Sequence, residues 1–434
     1  MTRRIRGRAA ALTLIGALAL IAAGCGGDDG GSSGDGGDVS GTLAVTAIWS
    51  GAEQEAFQAV IDGFTEANSG VTVNYTSGGD QLPTQLSTAV EGGNPPDIAF
   101  LGQPGLVRDF VEKDALQPLD FAREDVETNL GDSAIELGSV DDTLYGFLFK
   151  AANKSLVWYN VAAFEEAGVE PPESWEDFLA AADTISASGT PAFSIGGADG
   201  WTLTDLFENI YLRTAGPEKY DQLAAHEIPW TDQSVKDALA EMAKVVGNGD
   251  NIAGGTSGAL QTDFPTSVSN VFSESPKAAQ VIEGDFVPGA VESGLEPETD
   301  YNVFDFPAIN DSAPSVVGGG DTVVMFKDSP AAQAFIRYLT TAEAAEIWAE
   351  RGGFGSLNQD LDTGTYPDAI QQTAAGALSE AEVFRFDLSD LQPAAFGGTV
   401  GQGLFKLFQD FVQNPDDVDG ITQQMEDAAA KAFG

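Results

Sequence analysis

The residues from Thr42 to Leu101 decide the fold. TLAVTAIW (Thr42–Trp49) is an apolar, β-prone run that reads as a buried strand. EQEAFQAVIDGFTEA (Glu53–Ala67) then places Phe57, Val60, Ile61 and Phe64 at helical spacing. VTVNY (Val71–Tyr75) alternates like a second strand, a helix is expected around Gln81–Val90, and DIAFL (Asp97–Leu101) reads as a third buried strand. Strand and helix alternate at α/β spacing, which predicts a parallel sheet covered by helices.

The rhythm continues outward. Helices are expected over Glu176–Ala187, introduced by Pro172 and Ser174, and over Thr204–Arg213, with Asp205 near its start. SVVGGGDTVVMF (Ser315–Phe326) reads as strand, glycine break, strand. Pro330–Leu339, Ala342–Arg351 and the tail Gly401–Gly434 are helical, the tail interrupted at Asn414-Pro415. There is no internal repeat.

Composition narrows the functions. A chain of 434 residues, 43% hydrophobic, can bury the cores of two ordinary domains. Sixty-seven acids against 20 bases give a formal net charge of -47, which repels nucleic acid and anionic lipid. One cysteine excludes an intrachain disulfide. The single histidine, His226, rules out a multi-histidine metal site and sits in a polar stretch where it is expected to be exposed. GGTVGQG (Gly397–Gly403) lacks the Lys-Ser/Thr of a phosphate-binding loop. Asp416, Asp417 and Asp419 miss the spacing of a calcium loop and suit a helix cap instead. No cofactor and no metal are expected.

The first 25 residues, MTRRIRGRAAALTLIGALALIAAGC, set four arginines before an apolar segment too short to span a bilayer. They resemble a bacterial lipoprotein signal, with Ala22 where leucine is usual. On that resemblance residues 1–24 are a cleaved signal peptide and Cys25 carries the lipid. An ordinary signal with a chance cysteine is the alternative. Thr2-Arg3-Arg4 leaves the export route open. The Gly/Ser/Asp-rich remainder of residues 25–41 is a flexible tether with a reach of ~20 Å. No apolar run of spanning length follows Cys25.

From Gly41 onward the chain carries the segments GNPPDIAFLGQPGLV, YGFLFKAANKSLVWYN, FEEAGVEPPESWEDF, DGWTLTDLFENIYL, VIEGDFVPG, YNVFDFPAIN and GGGDTVVMF. In these, in their order and spacing, it resembles the extracytoplasmic solute-binding proteins of ABC importers, in the carbohydrate-binding (maltose-binding-protein-like) group. ERGGFGSLN and FRFDLSDLQPAAFG resemble the α-glucoside-binding branch most. The resemblance implies a type II periplasmic-binding-protein fold, two α/β lobes joined by three crossovers. Residues 42–147 and 306–338 would form lobe 1; residues 148–305 and 339–434 would form lobe 2. Crossovers are expected near Phe149-Lys150, Phe304–Pro307 and Tyr338-Leu339. It also implies an oligosaccharide ligand, separate permease and ATPase chains, an extracytoplasmic location and a monomer that performs no reaction.

A sugar offers apolar C–H faces and a belt of hydroxyls, so aromatic rings and planar polar groups at strand-end loops are the candidates. Trp49, after the first strand, either meets the ligand or caps the sheet; Glu53 begins the next helix. Asp80, after two glycines, accepts sugar hydroxyls or caps a helix, and Gln103 lies in a third loop that is otherwise a plain turn. Lys150, with Asn153 nearby, binds ligand at the first crossover or bridges the lobes. Tyr159 is open between ligand and core, and Asn160 is a helix cap. Trp201, in the glycine-rich loop Asp199-Gly200-Trp201, is expected to stack on a sugar face. Asp285 and Phe286 match a family loop carrying a stacking aromatic. Asp321 follows the glycines of the interrupted strand. Arg385 and Asp387 either grip a terminal glucose or pair with each other. Trp175 and Trp348, on helix faces, are expected in the core. A glycoside hydrolase, an adhesive calcium-binding lipoprotein and the same fold binding a polyol are the rival readings; acids are too numerous here to single out a catalytic pair.

Overall fold

The structure, a computed structural model, describes residues 39–131, 134–135, 137–380, 383–393, 395–398 and 401–434, without the side chains of Asp80, Ser379 and Glu380. The signal, Cys25 and most of the tether lie outside the described residues, as does the Asp80 side chain. Val39–Gly434 is one compact unit.

The strands that matter for the site are β1 (Ser40–Ala47), β2 (Gly70–Ser77), β3 (Ile98–Leu101), β4 (Gly146–Asn153), β5 (Leu156–Asn160), β6 (Gln280–Ile282), β7 (Tyr301–Asp305), β8 (Ser315–Met325) and β9 (Val383–Phe386). The larger sheet has the order β9-β8-β3-β1-β2, with β4 also on β8. Its β1–β2, β1–β3 and β8–β9 pairs are parallel, and β8 runs antiparallel to β3 and β4. The smaller sheet, β6-β5-β7, is antiparallel. The chain passes from the larger to the smaller sheet at Lys154-Ser155 and returns over residues 306–314.

Helices α1 (Gly51–Ala67), α2 (Leu82–Glu91), α3 (Gly105–Glu112), α4 (Trp175–Ser188), α5 (Trp201–Ala215), α6 (Gln233–Val246), α7 (Pro330–Leu339), α8 (Ala342–Ala349), α9 (Gly403–Gln413) and α10 (Val418–Phe433) cover the sheets. Caps explain several boundaries. Ser174 Oγ accepts from Asp177 N at the start of α4, and Gly189, at φ 114, ends it in the left-handed region. Ser329 Oγ does the same for α7 through Ala332 N. Asp417 accepts from Gly420 N and caps α10, the role expected for this aspartate run.

The expected glycine break in Ser315–Phe326 is instead one continuous strand with a register shift between Asp321 and Thr322. The glycines serve close approach. A Cβ on Gly320 would sit 2.0 Å from Lys150 O, and one on Gly319 would sit 2.5 Å from Lys154 Cε. Bare backbone there lets β4 lie against β8.

Separate cores back the two sheets. Under the larger one, α1, α7 and α8 bury Phe57, Val60, Ile61, Phe335 and Trp348. Trp49 lies inside this core, its ring centroid 4.8 Å from Phe57, 4.7 Å from Phe100 and 4.8 Å from Trp348. The other core packs α4, α5, α6, α9 and α10 around Phe178, Phe207, Trp230 and Phe408. α8, expected with the second lobe, packs in the larger-sheet core through Ala344, Ala345 and Trp348, so the expected division at Leu339 does not follow the packing. β4 stays in the larger sheet to Asn153, beyond the crossover expected at Phe149-Lys150. His226 is half-buried rather than exposed, with Nε2 3.3 Å from Glu426 and its ring 4.9 Å from Phe433.

Because Trp348 is fully buried among aromatic rings, Trp348→Ala should cost about 3–5 kcal/mol in chemical denaturation. A loss below about 1 kcal/mol would contradict this packing.

Candidate functional site

The site assembles where β4, β8 and the start of α5 converge. Lys150 and Asp321 are directly opposed on β4 and β8. Lys150 Nζ reaches Glu53 Oε1 at the start of α1 at 2.5 Å. Asp321 is buried; its Oδ2 accepts from Trp49 Nε1 at 3.0 Å, while its Oδ1 has no hydrogen-bond partner.

Four residues further along, Lys154 Nζ lies 3.1 Å from Asp205 Oδ1 on α5 and 2.5 Å from Asp387 Oδ2. Asp390 Oδ2 stands 3.9 Å away. Asp387 is also held by Ser389 Oγ at 2.7 Å and Asp390 N at 3.0 Å. Asp285 Oδ2 accepts from Asn153 N at 3.0 Å. Glu283, Asp205 and Asp321 are all nearly fully buried, and each keeps one carboxylate oxygen without a partner.

An aromatic wall flanks these groups. Trp201 lies 5.4 Å from Phe264 and 6.0 Å from Phe286, which are 5.3 Å from each other. Lys154 Nζ sits 5.6 Å from the Trp201 ring centroid, and Lys150 Nζ 6.0 Å from that of Phe286. Gly200, at φ 88, starts α5 where a Cβ would meet Phe405 at 2.5 Å, so glycine permits the turn that presents Trp201. Gln103 Nε2 donates to Gly398 O at 2.7 Å and Gly105 N to Asp390 O at 3.1 Å, closing the larger-sheet side onto the segment after β9.

Burial and charge set the protonation states. Burial pushes Asp285 up to about 7, against the Asn153 N–H and Lys150. Burial likewise pushes Asp321 up to about 6, against Lys150 and with Glu53. Asp205 and Glu283 are raised chiefly by burial. Burial opposes the charged form of Lys154, but Asp205, Asp387 and Asp390 outweigh it and hold the ammonium protonated. Asp387 is held low: burial works against its charge, and Lys154 with its hydrogen bonds prevails.

Of the residues singled out from sequence, Glu53, Lys150, Asp285, Phe286, Asp321, Trp201 and Asp387 come together here, with Gln103 at the rim. Others sit elsewhere. Trp49 is 0% exposed with its faces packed by core rings, so only its Nε1 reaches the site. Tyr159 packs in the core between Phe164 at 4.4 Å and Phe304 at 5.7 Å. Arg385 pairs with Asp221 through Nε at 2.6 Å and Nη2 at 2.9 Å, instead of with Asp387. Lys154, Asp205, Glu283, Phe264 and Asp390 were not singled out. For Lys154 a signal existed in the repeated lysine of KAANKS, four residues after Lys150 at the same crossover. Among the described residues, no group of three or more His, Cys, Asp or Glu is placed to hold a metal ion. None of their helices is long and apolar enough to cross a membrane.

The model of the bacterial extracellular solute-binding protein family matches residues 49–346, and the chain belongs to that family. It is a two-lobed type II α/β solute-binding protein of the ABC-importer kind, and not an enzyme. The osmoprotective compounds-binding protein GgtB of Synechocystis is 34% identical over 370 residues, 83% of this chain and 87% of its own. The alpha-glucosides-binding periplasmic protein AglE of Rhizobium meliloti is 34% identical over 379 residues, 84% of this chain and 81% of its own. The fold matches that of the bacterial solute receptor AcbH at TM-score 0.80 and 22% identity, over 91% of this chain and 99% of that one. It matches the GacH receptor of Streptomyces glaucescens at TM-score 0.73 and 18% identity, over 91% and 98% respectively.

The raised carboxyls carry a sign. Asp285 and Asp321 hold protons in the folded state that the unfolded chain releases near pH 4, so stability should fall as pH rises from about 4 to 7. Melting temperature at pH 5 should therefore exceed that at pH 8, and Asp285→Asn should flatten the profile. An unchanged or steeper slope in this variant would contradict the assignment.

Proposed function

We propose that this chain captures a neutral carbohydrate, an α-linked glucoside, between closing lobes and delivers it to the permease of an ABC importer. The observation that carries the reading is the wall of Trp201, Phe264 and Phe286 beside buried carboxylates with unpartnered oxygens. Rings suit the C–H faces of a pyranose, and free carboxylate oxygens suit its hydroxyl donors. The relative AglE, named for binding alpha-glucosides, supports the same reading. In this reading Glu53, Lys150, Asp285, Asp321 and Asp387 serve hydroxyls directly or hold the groups that do. The solute favours closure because it touches both lobes only in that state. Cys25 tethers the monomeric protein by a lipid to the outside of the cytoplasmic membrane.

A second reading within the same fold is a small polyol, and the relative GgtB, named for binding osmoprotective compounds, keeps it open. Calorimetry with maltose, trehalose, sucrose, glucose and sorbitol separates the two. At least one α-glucoside should bind with micromolar affinity, about −8 kcal/mol. Sorbitol alone giving heat would select the polyol, and silence from all five would sink both.

Trp201→Ala should weaken the best ligand by ~1–3 kcal/mol if that ring stacks on the sugar. Unchanged affinity would remove the ring from the site.

A further inference from the structure

The two passages of chain between the sheets are bonded to each other. Phe306 N donates to Ser155 O at 2.8 Å, and Lys154 N to Val317 O at 2.9 Å. Val317 N donates to Ser155 Oγ, also at 2.8 Å. The third party at this junction is the C-terminal half of α5.

Asn209 Nδ2 donates to Lys154 O at 2.8 Å, and Asn209 Oδ1 accepts from Ser155 Oγ at 2.5 Å. One helical turn on, Arg213 is buried. Its Nη1 donates to Asn209 O at 3.2 Å and Oδ1 at 3.1 Å. Its Nη2 donates to Phe306 O at 3.3 Å and Ser315 O at 2.6 Å, the two ends of the returning passage. The guanidinium lies 4.8 Å from the Phe306 ring centroid. Among the described residues Arg213 has no directly paired carboxylate; carbonyl oxygens, a ring face and the more distant charge of Asp305 carry the burial of its charge.

A buried cation without a directly paired carboxylate is costly, and an apolar side chain of similar size would avoid that cost. What an apolar side chain lacks is a planar fork of donors able to hold carbonyls from separate segments in one geometry. The opposite end of α5 carries Trp201 and Asp205 into the candidate site. The same rigid helix therefore holds the solute-facing groups at one end and both passages at the other.

We propose that Arg213, supported by Asn209, is a positioning residue for solute capture: it pins the two passages between the sheets, so that closing turns about a fixed point and brings Trp201 and Asp205 onto the solute. The proposal rests on the closing-lobe reading above. It needs no particular sugar, and one arm of its test needs no ligand.

The test compares wild type with Arg213→Met, Arg213→Lys and Asn209→Ala. Arg337→Met is the stability control: Arg337 bonds Asp125 and Phe121 O on the larger-sheet side, away from the passages. Thermal unfolding, small-angle scattering of the ligand-free protein and calorimetry with maltose are read for each. Arg213→Met should shift the ligand-free scattering profile away from wild type and weaken maltose at least tenfold, with Arg213→Lys recovering part of both. Asn209→Ala should move both in the same direction, by about threefold in affinity. Arg337→Met should lower the melting temperature and move neither. Wild-type scattering and affinity in a folded Arg213→Met would overturn the proposal. If that variant does not fold, wild-type behaviour of Asn209→Ala would overturn it. Should wild type ignore maltose, the calorimetry is read with whichever saccharide of the panel above binds; should none bind, the sugar assignment fails while the scattering arm still decides this one.

Discussion

Lys154 Nζ is the group around which the molecule is organised. It lies where the chain leaves one sheet for the other, and it draws Asp205 from α5 and Asp387 from the segment after β9 onto one point. Taking away one partner of such a buried pair costs about 3–5 kcal/mol, because the other charge is left uncompensated. Nearby geometry accommodates it. Gly319 has no Cβ where Lys154 Cε passes, and the Trp201 ring stands 5.6 Å from the ammonium. Glu208 extends the arrangement by accepting from Leu388 N at 2.6 Å and Ser389 N at 2.9 Å, which seats the segment bearing Asp387.

The carboxylates nearby outnumber the lysines. Lys150 is engaged by Glu53, and Lys154 by Asp205 and Asp387, yet Glu283, Asp285 and Asp321 are buried beside them. Ionising every one of these acids in a dry interior is unfavourable, which is why burial raises Asp285 and Asp321. A solute rich in hydroxyl donors relieves this without adding charge, whereas an anionic solute adds to it. The proposed preference for a neutral sugar follows from that balance.

Local chemistry was legible in the sequence. Spacing placed α1 within two residues of its N-terminal boundary, Ser174 marked the start of α4, and Trp348 was readable as core. Neighbouring glycines brought out Asp321 and Trp201, and strand-end position brought out Glu53. The same rule misplaced Trp49, because a strand end can turn its ring inward beneath the sheet as readily as outward. Arg385 was unreadable for a different reason: its partner Asp221 is 164 positions away. Lys154 itself was visible in the repeated lysine of KAANKS, but its contact with Asp387 spans 233 positions and no local pattern encodes that pairing. Phe264 joins the aromatic wall only through the tertiary approach to Trp201 of the helix it begins, Phe264–Val271.

The central claim is that the space bounded by Trp201, Phe286 and the carboxylates of Asp321 and Asp205 is where the solute rests. A crystal structure of the protein grown with its tightest-binding saccharide tests it most directly. The account predicts an intact pyranose lying against the Trp201 or Phe286 ring, with hydroxyls donating to Asp321 Oδ1 or Asp205 Oδ2. A saccharide bound at another place, with those oxygens still unpartnered, would contradict it.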